Sequence, residues 1–331
     1  MQDARTEQDL LIETFDGRAK RRENRRAFFT AALGVAAVGG AFAYADPALA
    51  QTSVTDSDVL NFALNLEYLE AQFYLYAVNG SGLTSDLTAS GSGAAGGTVT
   101  GGAAVTFTGD PLVGAYAREI AADELAHVKF LRTALGTAAV AMPNINISGA
   151  ANGPFTAAAR AAGVVDPTSG VFNPYESPTN FLLGAFIFED VGVTAYKGAA
   201  PLLSNKTFLE AAAGILAVEA YHAAIVRTTL YSKGVQGLID ATEKIAAARD
   251  SLDGAPTEDK VRGIGPLDDQ GIAPSGSGDT LTANLSPLNS NGLAFSRTPG
   301  QVLNIVYLNA GTATMGGFFP NGVNGNIKST T

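Results

Sequence analysis

Apolar residues recur every three or four positions along "TDSDVLNFALNLEYLEAQFYLYAV", Thr55 to Val78, behind a run of capping residues. That spacing predicts a long helix. A second begins at Asp110-Pro111, with proline at the first helical position, and continues through "LVGAYAREIAADELAHVKFLRTAL" to Gly136. "TNFLLGAFIFEDVGVTAYKGAAPLL" gives a third, and after the turn "SNKT" a fourth runs from Phe208 to about Lys233. A fifth is expected over "VQGLIDATEKIAAARDSLDG", with Gly254 as its stop. Residues 79–109, rich in Gly, Ser and Thr, read as an irregular loop or a small hairpin, and residues 137–178 as loop punctuated by Pro143, Pro154, Pro167 and Pro174. Residues 255–298 read as irregular, followed by one short apolar stretch, "TPGQVLNIVYLNA". Four long helices with a fifth beside them predict an all-α four-helix bundle with long irregular insertions and a C-terminal tail.

The polar residues that interrupt these apolar faces form a series. The first helix carries Glu67, the second Glu124 and His127, the third Glu189, and the fourth Glu219 and His222. A spacing of three turns the helix through about 300° and rises about 4.5 Å, so each Glu-x-x-His pair shares one face and can offer an oxygen and a nitrogen to one metal ion. Two such pairs with two single glutamates suit a site for two divalent ions, iron or manganese, whose charge offsets the cost of burying the carboxylates. Both histidines of the chain have glutamate at −3 and there are 13 glutamates in 331 residues; chance alone gives about 0.002 for that pairing.

Tyr74 follows Glu67 by seven residues and Tyr196 follows Glu189 by the same interval. Each tyrosine is placed to hydrogen-bond within the site. Glu124, Glu219, Tyr74 and Tyr196 are therefore the candidate catalytic residues. Glu70, one turn from Glu67, is an alternate to it, while Glu119, Asp123 and Asp190 read as surface or supporting groups.

Composition narrows the partners. The net charge is −10, which argues against nucleic acid. The absence of cysteine removes disulfides, zinc–thiolate sites and cysteine nucleophiles. No Gly-rich phosphate loop or Ser-His-Asp set stands out. The expected partner is a metal ion or a small-molecule oxidant, and a homo-oligomer stays open.

The N-terminus reads as an export signal. Basic residues around Arg25-Arg26 in "NRRAFFT" precede a mildly apolar run from Phe28 to Ala45, and the segment closes on Ala48-Leu49-Ala50. Cleavage is expected before Gln51, by a twin-arginine-type route to the periplasm or beyond. No other segment reads as a membrane span. The expected organisation is a signal over 1–50, a bundle over 51–254 and an extension over 255–331.

"NLEYLEAQFY", "IAADELAHVKFL", "FIFEDVGVTAY" and "ILAVEAYHAAIV", with "RTPGQVLNIVYLN" and "GGFFPNG" in the tail, resemble the ferritin-like superfamily. The resemblance covers roughly residues 55–325 and is nearest to exported ferritin-like proteins that include the plant desiccation-related proteins. It implies that Glu124 and Glu219 bridge two metals, that Glu67 and Glu189 are terminal ligands, and that His127 and His222 each bind one ion. The long insertions argue against a closed ferritin-type cage. The expected function is an oxidoreductase acting on dioxygen, peroxide or ferrous iron under oxidative or desiccation stress. Two other readings use the same fold, a non-catalytic envelope stress-protection protein and a metal store.

Overall fold

The computed structural model describes residues 54–254 and 268–330, which belong to one compact unit. The expected signal segment, residues 1–50, lies outside the described residues.

Four long helices form as their sequence signals dictate. Helix α1 spans Asp56–Asn79 and starts with a reciprocal cap, Thr55 accepting from the Asp58 amide while the Asp58 carboxylate accepts from Thr55. It stops at Gly80, whose φ of 71° suits a residue without a side chain. A single turn, α2 (Ser85–Thr88), precedes α3 (Pro111–Leu135), which is capped by Asp110 with Pro111 at its first position. A short α4 (Pro154–Ala161) lies in the second insertion. Ser177 caps α5 (Pro178–Ala199), and Asn205 caps α6 (Lys206–Ser232). Each such cap contributes about 1 kcal/mol. Helix α7 (Gln236–Leu252) and the short α8 (Pro299–Val306) are the remaining α-helices among the described residues.

The bundle is built from two hairpins, α1 along α3 and α5 along α6. In the first, Asn61 near the start of α1 bonds the Ala138 carbonyl just beyond α3, so the two run antiparallel. In the second, Arg227 of α6 bonds Asp190 of α5, while Gly192 lies against Glu219. Helices α1 and α5 are buried on nearly every face, whereas α3 and α6 keep an outer face in solvent. By length and mean hydropathy (1.4) α6 could cross a membrane, a property core helices share. The sequence reading did not single it out. In this fold it carries Glu219, His222 and Arg227 buried within the bundle.

The insertions are more ordered than their composition predicts. Val99–Gly101 (β1) pairs in parallel with Ile145–Ile147 (β2), so the first insertion forms no hairpin with itself but is joined to the second. Neither strand has a local partner, which is why sequence signals for turns did not reveal them. Asparagines of α1 bind these segments as a strand would. Asn61 accepts from the Val140 amide, and Asn65 both donates to the Asn324 carbonyl (2.8 Å) and accepts from the Asn324 amide (3.0 Å). Phe318 of the tail packs edge-on against Phe155 and Phe188.

A second set of buried charges holds residues 268–297 against the bundle. Arg227 reaches Asp190 at 2.9 Å and the carbonyls of Leu285, Gln270 and Asn284 at 3.0 Å. Arg249 bonds Asp190 and Asp269, and Arg297 bonds Asp253, Asp269 and Thr194. Asp190 is thus neither a surface residue nor part of the metal site. It turns away from Glu189, its neighbour in the chain, to anchor two arginines. Asp250, Asp253 and Asp268 also cluster here, with Asp253 bound to Arg297 at 2.8 Å.

Candidate metal centre

The middle turns of all four long helices place their polar interruptions at one point. Glu67 and Glu70 come from α1, Glu124 and His127 from α3, Glu189 from α5, and Glu219 and His222 from α6; all seven are buried. His127 Nδ1 lies 3.1 Å from Glu67, 3.6 Å from Glu124 and 3.8 Å from Glu219. His222 Nδ1 lies 3.1 Å from Glu124 and 3.6 Å from Glu189. Two donor groups result, Glu67, Glu124, His127 and Glu219 in one and Glu124, Glu189 and His222 in the other, with Glu124 common to both.

Several of these atoms lack any hydrogen bond. Both oxygens of Glu124 and of Glu219, Glu189 Oε2 and His222 Nδ1 are buried without a partner. His222 Nδ1 faces Glu124 Oε1 at 3.1 Å yet off a hydrogen-bonding line, as donors around a shared centre do. Orphaned buried polar atoms are costly and rare in folded proteins. Five carboxylates against two imidazoles leave an excess of negative charge that buried protein does not sustain unaided. The oxygen and nitrogen donor set fits divalent iron or manganese.

The electrostatics of the cluster show the same strain. Burial, then the neighbouring carboxylates, pushes Glu70 and Glu219 well above the usual carboxylate range and Glu67 up to about 7. Burial also pushes on Glu124, but the two imidazoles it faces override this and hold it at about 2. Burial alone would depress both histidines. The carboxylates around them instead raise His127 to about 10 and His222 to about 12. The same crowding of buried carboxylates that raises these groups would also favour a bound cation.

The tyrosines join the site in a crossed manner. Tyr74 donates to Glu189 and Tyr196 donates to Glu67, each serving the glutamate of the other helix. Seven residues along a helix is about 10.5 Å, too far for a tyrosine to reach its own helix's glutamate, but an antiparallel neighbour closes that distance. The pairing exposes an approximate two-fold relation between α1 and α5.

Three further residues complete the picture. Asp123, half-exposed on α3, lies 3.1 Å from His222 Nε2, so it can accept that N–H and turn Nδ1 inward. His127 has no such counterpart on α6, where Val218 stands before Glu219. Gly192 was not legible as a site residue; a Cβ there would overlap a Glu219 carboxylate oxygen. Glu70 and Glu67 do not compete for one place. Glu67 sits in the four-donor group, while Glu70 stands outside both groups, beside Gly192. Glu119 is exposed and takes no part.

A ferritin-like domain profile matches residues 55–232, which run from the cap of α1 to the end of α6. The chain belongs to the ferritin-like family. This ferritin-like chain is 30% identical over 274 residues to a ferritin-like catalase of Nesocodon mauritianus, covering 82% of this chain and 84% of that one. It is 28% identical over 264 residues to a desiccation-related protein of Craterostigma plantagineum, covering 75% and 76%. No solved structure matches it significantly.

Proposed function

We propose that this chain is an exported two-metal oxidoreductase acting on hydrogen peroxide or dioxygen. One observation carries the reading: buried carboxylate oxygens from three helices, with no hydrogen-bond partner, surround two inward-facing imidazoles. The 30% identity to a protein named a catalase favours peroxide as the first substrate to test.

Glu67, Glu219 and His127 would hold one ion, Glu189 and His222 the other, and Glu124 would be shared between them. When bound, iron or manganese supplies the redox chemistry at a small oxygen species. The chain's own residues prepare the place. Tyr74 and Tyr196 each occupy one oxygen of a terminal glutamate and leave the other facing inward. Asp123 orients His222 so that Nδ1 is the available nitrogen. Glu70, whose carboxyl is pushed up by burial and by the neighbouring carboxylates, sits beside Glu219 and can keep or pass a proton at the edge of the centre. The aromatic packing of Phe73, Phe155, Phe188 and Phe318 excludes bulk water on one side.

The decisive experiment is metal content by mass spectrometry on protein taken from its native compartment, alongside peroxide disproportionation and ferrous oxidation assays. Two ions of iron or manganese per chain and peroxide turnover, both lost in Glu124→Ala, are expected. A stable, metal-free, inactive protein would sink the reading in favour of a structural stress-protection role, and a stoichiometry far above two would favour storage. Export is part of the proposal and is checked by N-terminal sequencing of the mature protein, expected to begin at Gln51.

A further inference from the structure

We infer that an apolar path admits small uncharged molecules from the surface to the Glu70 side of the metal centre, with Ile187 and Ile305 as its constriction. The inference rests on the two-metal reading for its purpose and on two adjoining cavities for its substance.

The outer cavity, of about 200 Å³, lies among α4, α7 and α8. Its rim includes the exposed residues Ala157, Ala161 and Ser251, and its depth is formed by Phe172, Ile187 and Ile305, all buried. The inner cavity, of about 20 Å³, is lined again by Ile187 and Ile305 and continues to Leu66, Phe188, Gly192 and Glu70. Such a volume exceeds the roughly 10–15 Å³ that one water needs. The same two isoleucines thus line both chambers. Beyond the second lies Glu70, which keeps 6% of its surface accessible, and Gly192, whose missing side chain brings Glu219 to that wall.

The lining decides what can pass. The guanidinium along the outer wall, Arg249, is fully engaged by Asp190, Asp269 and the Phe186 carbonyl. A hydrated cation would shed its water here with only the Ser251 hydroxyl at the rim to replace it, whereas dioxygen loses little and hydrogen peroxide, though it gives up hydrogen bonds, carries no charge to desolvate. The path therefore suits the oxidant, dioxygen or hydrogen peroxide, and does not suit ferrous ion as a substrate. Ile305 belongs to α8, so the C-terminal extension builds one side of the constriction.

Xenon pressurisation of crystals of the metal-free protein tests the path without catalysis, since apolar cavities take up xenon. Xenon is expected in both chambers of the wild type, in the outer one alone in Ile305→Phe, and in neither in Ala161→Trp, which fills the cavity from its exposed rim with little demand on folding. In metal-loaded protein both substitutions should lower kcat/KM for hydrogen peroxide about tenfold at unchanged metal content, and Ile187→Ala should admit tert-butyl hydroperoxide. Absence of xenon from the inner chamber, or unchanged kcat/KM in both plugged variants, would overturn the path. A wild type that takes xenon in both chambers but turns over no peroxide would leave the path standing and remove the catalytic reading; in the plugged variants, loss of peroxide turnover but not of dioxygen uptake would assign the path to peroxide.

Discussion

Two clusters of buried charge sit a few turns apart in this chain, and only one is closed. Around α7 and the extension, Arg227, Arg249 and Arg297 meet Asp190, Asp253 and Asp269, and their guanidinium groups are satisfied by carboxylates and carbonyls. At the centre of the bundle, five glutamates meet two histidines, and carboxylate oxygens remain unbonded. A balanced and satisfied cluster holds the fold together. An unbalanced one with orphaned oxygens and an imidazole nitrogen suits a cation. Adjacent residues, Glu189 and Asp190, belong one to each, separated by the 100° that one residue turns on a helix.

The largest expected effect breaks the open cluster at its shared member. Glu124→Ala should reduce bound metal from two ions to fewer than one per chain and peroxide turnover by at least about 10³-fold, some 4 kcal/mol in barrier terms, while the chain stays folded by circular dichroism. The closed cluster should respond in the opposite way. Arg297→Met leaves buried carboxylates without their partner and should cost about 3–5 kcal/mol in urea unfolding, with metal bound per folded chain unchanged. If Arg297→Met removed metal, or Glu124→Ala unfolded the protein, the contrast between the clusters would fail.

Smaller effects sharpen the comparison. Asp123→Asn should weaken the His222 ion about 10–100-fold and leave the His127 ion in place, because Asp123 faces only His222; calorimetric titration should then resolve two unequal sites. The pH dependence follows from His127, raised from 6.5 to about 10. Its folded form holds a proton more tightly than its unfolded form, so this stabilisation is complete below 6.5 and lost as pH rises through 10. Glu70 and Glu219, raised above 4.5, act in the same direction. The metal-free protein should melt at lower temperature as pH goes from 6.5 to 10. Metal displaces these protons, so the gap in melting temperature between loaded and chelated protein should widen over that range. A change of similar size to that of Asp123→Asn is expected from Tyr74→Phe or Tyr196→Phe, each removing one bond to a carboxylate worth about 1.5–3 kcal/mol, seen as weaker metal binding with the stoichiometry kept.

The convergence of these glutamates and histidines was legible because they interrupt otherwise apolar helices. Glu124 with His127, and Glu219 with His222, are three residues apart, and local geometry alone puts each pair on one face. Residues whose role depends on a neighbouring element were read less well. Asp190 reads in sequence as an appendage of Glu189, yet its partners, Arg227 and Arg249, lie 37 and 59 positions away. Glu70 read as a substitute for Glu67, and folding placed both at the centre. Gly192 carries no signal at all, since a requirement for empty space appears only when Glu219 arrives from another helix.

The sequence by itself determined the four long helices, their caps and the six donors that converge, because helix periodicity and short spacings are local properties of the chain. Tertiary structure decided the rest. It crossed the tyrosines between α1 and α5, joined two insertions through parallel strands, sorted the buried charges into a closed and an open cluster, and set Ile187 against Ile305 beside Glu70. Each of those depends on distances between segments far apart in the chain, and such distances exist only once the helices have packed.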